Sequence, residues 1–336
     1  MALTLSSERS PPARARIEVA LLNNMPDSAL EATELQFGNL LAAAAGPMEV
    51  RLRLFSLPEI ARGENARRRI EDHYCDLRDL WDCDLDALIV AGTEPKSPDL
   101  RQEPYWNNLT AVMEWAKTEV VSSVWSCLAA HAAVLYLDGV PRQSLAQKCC
   151  GVFEHEVTTH SLTRGLSAPQ RTPHSRWNTI LRPALEASGY HILTDSPLAG
   201  VNLCIKQLGS QFIFWQGHPE YDDRSLLKEY QRDVQRFLRR ERETYPNMPY
   251  GYFSPPVEER LAAFETRALA APHEGLIGEF PYEFASTGLQ NSWRASAIQF
   301  YQNWLTAIVD AKGTRGVRRA PRRGSALERA LSGPDR

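Results

Sequence analysis

Three short stretches hold residue types that suit attack on a carbonyl: "WSCLAAH" with Cys127, "WQGHPEYD" with His218 and Glu220, and "VAGTEP" with Gly92. A thiol works as a nucleophile when a base can take its proton and later protonate the leaving group, and histidine fits that role near neutral pH. Glu220 follows His218 by two residues. In an extended segment that spacing returns both side chains to one side, and Pro219 biases His218 towards such a conformation. Glu220 can then orient the imidazole and stabilise its charged form. Cys127 stands where a short β-branched run gives way to a helix start, so its sulfur faces the positive end of the helix dipole and free N–H groups. The Leu128 N–H, directly after the corner, is aimed to stabilise an oxyanion. The competing reading of Cys127 is a buried small hydrophobe. His131 lies four residues on and on the same helical face, beside the thiol instead of across a substrate from it. It reads as a pocket-lining or core histidine.

Other residues suit substrate binding. "TPHSRWN" places Ser175 and Arg176 after a proline, and an arginine fork matches a carboxylate; an ordinary turn with a surface arginine fits as well. Lys148 in "QKCCGVFEH" and Arg232 within residues 224–240 have the same two readings, substrate contact or solvated cation. His73, His155, His160, His191 and His273 show no metal-ligand spacing, so no metal site is expected. No glycine-rich phosphate loop is present.

These side chains need a scaffold. Residues 16–26, 48–57, 85–95 and 121–126 read as strands, and 27–45, 103–120 and 128–140 as helices, with Asp27 or Ser28 capping the first of them. A charged, helical stretch is expected from Pro58 to about Trp81. The alternation argues for an α/β fold with a doubly wound, mostly parallel sheet flanked by helices, whose reactive crevice lies beyond the carboxyl ends of the strands. Gly92, Cys127 and His218 all fall at such ends. Residues 150–210 hold short β-like runs broken by Pro and Gly, and "SQFIFWQGHPEYDD" is a strand running into a loop. Residues 224–240 form a helix with Leu226, Leu227, Tyr230, Val234, Phe237 and Leu238 along one side. Residues 254–290 are an additional, Pro- and Ala-rich segment, and 293–309 a closing helix. The expected organisation is a loose leader over 1–15, a single α/β domain over 16–309, and a basic, disordered tail over 310–336.

The 336 residues, 43% hydrophobic and 24% charged with a net charge of −3, belong to the ordinary globular class. Neither nucleic acid nor a membrane is indicated as a partner. The six cysteines lack metal spacing and suggest reduced thiols in the cytoplasm.

Taken in order, "LNNMP", "VAGTEP", "EPYW", "EWAKTEVVSSVWSC", "KCCGVFEH", "PHSRW", "QGHPEYD" and "PYGYF" resemble the homoserine O-acyltransferase family, specifically the homoserine O-succinyltransferases of methionine biosynthesis. The resemblance implies a fold like class I glutamine amidotransferases. It also implies ping-pong transfer from an acyl-CoA co-substrate, most often succinyl-CoA, through a Cys127 thioester to the hydroxyl of L-homoserine. Carried across, Cys127 matches the nucleophile, His218 the base and Glu220 its partner, with Leu128 and Gly92 as oxyanion donors. Lys148, Ser175 and Arg232 match positions that contact the amino acid. Lys96 falls at the loop position that helps separate acetyl from succinyl donors, and Asp27 and Ser28 stand where the family commonly has two lysines. No permanently bound cofactor is implied, and family habit suggests a homodimer. Transfer of acetyl, or to serine, is the alternative within the family. A glutamine amidotransferase-like cysteine hydrolase, or a member kept for binding or regulation, are the alternatives beyond it.

Overall fold

The structure is a computed structural model and describes residues 15–315. The expected leader, except for Ala15, and residues 316–336 of the expected tail lie outside them. In chain order the elements are β1 (Arg16–Asn23), α1 (Asp27–Ala44), β2 (Glu49–Phe55), α2 (Glu64–His73), α3 (Leu77–Leu80), β3 (Ala87–Ala91), α4 (Trp106–Glu119), β4 (Ser122–Ser126) and α5 (Leu128–Asp138). They continue as β5 (Gln143–Val157), β6 (Gln170–Thr179), α6 (Arg182–Ala187), β7 (His191–Ser196), β8 (Gly200–Gln207), β9 (Gln211–Trp215), α7 (Ser225–Leu238), α8 (Pro255–Ala270), α9 (Tyr282–Ser286) and α10 (Arg294–Arg315).

Among the described residues the strands form one nine-stranded sheet in the order β2-β1-β3-β4-β9-β8-β7-β5-β6. The β2-β1-β3-β4-β9 half is parallel throughout. From β8 onward every pair is antiparallel, so the sheet is mixed, its second half built from the short β-like runs. Strands β3 and β4 are buried along their whole length, as interior parallel strands covered on both faces must be. One face carries α4 and α5, whose Leu109, Val112, Ala129 and Ala133 pack on Leu88, Val90 and Trp125. The other carries α1 and α10, whose Phe37, Leu40, Phe300 and Trp304 pack on Val19, Ile89, Val124 and Ile213. Helix α10 presents Ala297, Phe300, Tyr301, Trp304, Leu305 and Ile308 to that core, a helical stripe. Burying one such side chain, for example Phe300, contributes about 1.5–3 kcal/mol. The helix runs past Val309 to Arg315, further than the closing helix read from the sequence.

A third apolar cluster joins Leu226, Leu227, Tyr230, Val234 and Leu238 of α7 to Val257, Leu261 and Phe264 of α8 and to Leu276, Phe280 and Trp293. The 254–290 segment thus covers the apolar side of α7 and leaves its polar side to face elsewhere. The stretch from Pro58 to Trp81 is two helices, α2 and α3, separated by an extended Tyr74. Neither Asp27 nor Ser28 caps α1. The N-cap position is Pro26, and the Asp27 carboxylate instead accepts from the Gly63 N–H at 2.7 Å and pairs with Arg62 at 3.2 Å. No described helix is long and apolar enough to cross a membrane.

Candidate active site

Strands β3, β4 and β9 are neighbours in the sheet, with Val90 opposite Trp125 and Ser126 opposite Trp215. That register brings Gly92, Cys127 and the segment Gln216–His218 side by side at the carboxyl edge. Cys127 has φ 51° and ψ −110°, a left-handed backbone that costs a non-glycine residue on the order of 1–3 kcal/mol. Its N–H donates to the Trp215 carbonyl at 2.7 Å, and its carbonyl accepts from the His131 N–H at 3.2 Å. The sharp corner leaves Cys127 partly exposed between buried neighbours on both sides. Gly92 is needed for space. A Cβ there would lie 2.7 Å from the Leu128 Cβ and 3.1 and 3.2 Å from the Leu128 and Ala129 nitrogens, crowding the start of α5.

The His218 Nδ1 and a Glu220 carboxylate oxygen are 2.8 Å apart, and the Ser126 hydroxyl donates to the same oxygen at 3.3 Å. All three are buried. His218 and Cys127 line the same cavity. Burial works against a charged imidazole here, but Cys127 and then Glu220 outweigh it and hold His218 protonated well above the ordinary histidine range. The loop itself is anchored on the antiparallel half, where the His218 N–H donates to the Pro173 carbonyl of β6 at 2.8 Å. Gly217 permits that approach, since a Cβ would come within 2.9 Å of Pro173 O and 2.7 Å of Asn202 Oδ1.

His131 is a core residue that also lines the cavity. Its Nε2 is 2.9 Å from Gln216 Oε1, and burial pushes it down to about 3, so the ring is neutral. It is tied to Gln216 and is not free to serve Cys127.

Cys127, His218 and Glu220 open onto a cavity of about 210 Å³, also lined by Gly92, Leu128, Lys148, Ser175 and Arg232. Across from the thiol stands a charged group that sequence reasoning half missed. Lys148 Nζ is 2.8 Å from Asp233 Oδ2 and 3.4 Å from Glu229 Oε2. Glu229 also accepts hydrogen bonds from the Ser175 hydroxyl and, at 2.6 Å, from the Tyr221 hydroxyl. The Tyr221 ring stacks on His218 with centroids 4.2 Å apart. Arg232 approaches Glu229 at 3.6 Å and Asp233 at 3.5 Å. Burial raises the Glu229 carboxyl, yet Lys148, Arg232 and the two hydroxyl donors reverse this and hold it below the usual carboxylate range. A signal for Glu229, Asp233 and Arg236 was available. With Arg232 they recur at i, i+3, i+4 and i+7 on α7, opposite its apolar side.

The structure does not bring every expected residue to this cavity. Lys96 is exposed and lines an adjoining cavity of about 670 Å³ with Asp27, Ser28 and Tyr105, joined to the first by Pro26 and Thr93–Pro95. Arg176 is buried at the cavity wall, but its guanidinium already donates to the Asn178 carbonyl at 2.7 Å, the Ala199 carbonyl and His174 Nδ1. Among the described residues no group of three or more His, Cys, Asp or Glu side chains could hold a metal ion.

A family profile described as "Homoserine O-succinyltransferase" matches residues 3–314. The chain belongs to the homoserine O-succinyltransferase family. Relatives of that name include one from Rhodopseudomonas palustris, 45% identical over 90% of this chain and 91% of its own. Another, from Bradyrhizobium japonicum, is 46% identical over 88% of this chain and 90% of its own. A solved glutamine amidotransferase from Thermotoga maritima is similar at a TM-score of 0.49 and 9% identity, covering 87% of this chain and 98% of that one. Membership in the homoserine O-succinyltransferase family makes the protein an acyl-CoA-dependent acyltransferase.

Proposed function

We propose that the protein is an L-homoserine O-succinyltransferase acting in methionine biosynthesis, with succinyl-CoA as co-substrate and Cys127 as the nucleophile. The observation that carries this reading is the pairing, in one cavity, of the Cys127–His218–Glu220 set with an opposing cluster of carboxylates and cations suited to a zwitterionic amino acid. The Cys127 sulfur attacks the thioester carbonyl of succinyl-CoA. A carbon–sulfur bond forms to Cys127, and the negative oxygen is met by the N–H groups at Leu128 and Gly92. As the oxyanion collapses, the bond to the CoA sulfur breaks and His218 gives its proton to the departing thiolate.

The neutral His218 then takes the proton of the homoserine hydroxyl as that oxygen attacks the acyl-cysteine. The Cys127 sulfur leaves with the electron pair, and the O-succinyl ester departs. Glu220 keeps the ring oriented and stabilises its charged form in both halves. Arg232 meets the α-carboxylate, and its buried Nε has no protein acceptor. Glu229 meets the α-ammonium, held in place by Lys148, Ser175 and Tyr221. Positioning of this kind is worth orders of magnitude in rate, because the two substrates then react as if in one molecule.

The test is a donor-by-acceptor matrix, acetyl- and succinyl-CoA against homoserine and serine, run on wild type and on Cys127→Ala. Wild type is expected to prefer succinyl-CoA with homoserine and to carry a covalent acyl group on Cys127 by mass spectrometry. Cys127→Ala is expected to lose transfer by at least about 10³-fold with an unchanged circular dichroism spectrum. Retained turnover in that variant would sink the mechanism.

A further inference from the structure

The cavity holds several cations, and most of them are already engaged. Lys148 and Arg232 face Glu229 and Asp233. Arg236 is paired with Glu94 at 3.2 Å, and Arg176 spends its guanidinium on two backbone carbonyls and a histidine. Arg142 differs. It lines the same cavity and is half-buried, yet among the described residues it has no carboxylate partner. Its contacts are Nη2 to the carbonyls of Ser97 and Pro98, at 3.4 and 3.2 Å. Burial lowers its basicity, with Tyr105, Glu103 and Cys127 acting in the other direction. It therefore sits within electrostatic reach of the nucleophile.

We propose that Arg142 is a specificity-determining residue that binds the terminal carboxylate of the succinyl group while its other end is bonded to Cys127. The assignment rests on the acyltransferase reading above and names the feature that selects a charged acyl chain. The carboxylate carbon of an extended succinyl group lies roughly 4 Å from the thioester carbonyl carbon, three carbon–carbon bonds of about 1.5 Å each at tetrahedral angles, so its cation must stand in the Cys127 cavity itself. Arg142 does and Lys96 does not.

The loop between them is rigid enough to hold the subsite. Buried Glu103 accepts from the backbone N–H groups of Lys96 and Ser97, both at 2.6 Å. Arg142 grips the carbonyls that follow. Beneath the loop, the buried Tyr105 hydroxyl has no acceptor. A half-buried guanidinium with unspent N–H donors gains most from an anion that arrives with the substrate, because the pair is shielded from water.

The experiment is a competition for Cys127 between equimolar succinyl-CoA and n-butyryl-CoA, which has the same chain length and no carboxylate. Intact-protein mass spectrometry reads the ratio of the two acyl adducts. In Arg142→Gln the succinyl-to-butyryl ratio is expected to fall about 10- to 100-fold, the cost of one charge-assisted hydrogen-bonded pair, and in Arg142→Lys by less. Lys96→Gln is expected to leave the ratio within about threefold of wild type. An unchanged ratio in Arg142→Gln with both adducts slowed equally would make Arg142 merely a loop support and overturn the proposal. A ratio that collapses in Lys96→Gln instead would overturn it too. Absence of any adduct on wild-type Cys127 would bring down the acyltransferase reading itself.

Discussion

The two halves of the sheet are held together differently. In the parallel half, β1, β3 and β4 meet helices on both faces through apolar side chains, and Gly92 and Cys127 sit just past the strand ends. In the antiparallel half, polar side chains run through the interior. Asn202 of β8 donates to Thr172 of β6 at 3.2 Å and Thr194 of β7 at 3.1 Å, and the rings of His155 and His174 meet at 3.1 Å. Apolar packing is non-directional and tolerates small shifts, whereas a buried hydrogen-bond network tolerates few registers. The His218 loop is docked beside that network at Pro173. Cys127 thus follows a strand covered by apolar packing on both faces, whereas the His218 loop rests on a polar interior.

This contrast can be broken at several points. Gly217→Val pushes a side chain into Asn202, Pro173 and His174; acyl transfer is expected to fall by about 10²-fold as His218 is displaced, read by steady-state rate with secondary structure retained. A conservative change in the parallel half, Ile213→Val, is expected to leave the rate intact and cost only about 0.5–1.5 kcal/mol in urea denaturation. Equal rate losses in the two variants would erase the distinction. Glu229→Gln keeps its shape but removes the charge offered to an ammonium. The homoserine KM is expected to rise about tenfold, with acylation by succinyl-CoA little changed in a single-turnover assay.

The last probe is acid. Burial holds His155 at about 4, and holds His174 well below its ordinary range, with Arg176 and His155 adding to the effect. Between pH 6.5 and 4 the unfolded chain therefore binds protons that the folded chain refuses. Stability falls as pH falls through that window, by about 1.4 kcal/mol per pH unit for each such histidine. His218 has the opposite sign. Its raised value contributes stability that is fully present below about pH 6.5 and is lost as pH rises through its folded-state value. Chemical denaturation at pH 7 and pH 5 checks the prediction, and His174→Phe is expected to flatten the acid loss. An unchanged slope would mean the network does not govern the antiparallel half.

The parallel half was legible because continuous apolar runs separated by helical periodicity have few other interpretations. Its strand ends followed directly, and so did the candidates Gly92, Cys127 and His218. The antiparallel half was not, since His155, Thr172, His174 and Asn202 look like surface residues when read singly and become interior only through one another. Lys96 illustrates a related limit: counting along the chain places it in the acyl loop, but only the fold shows that its side chain turns to the neighbouring cavity.

Sequence by itself determined the α/β alternation, the residues that stand at the strand ends and the family, because periodicity and local residue order carry those signals. Tertiary structure alone decided which cations remain unspent. Lys148, Arg142, Arg232 and Arg236 are alike as letters, and they differ in which carboxylates the packing of α7 against β5 and the β3 loop sets beside them. Charge pairing is a property of separation in space, and distant stretches of chain acquire it only on folding.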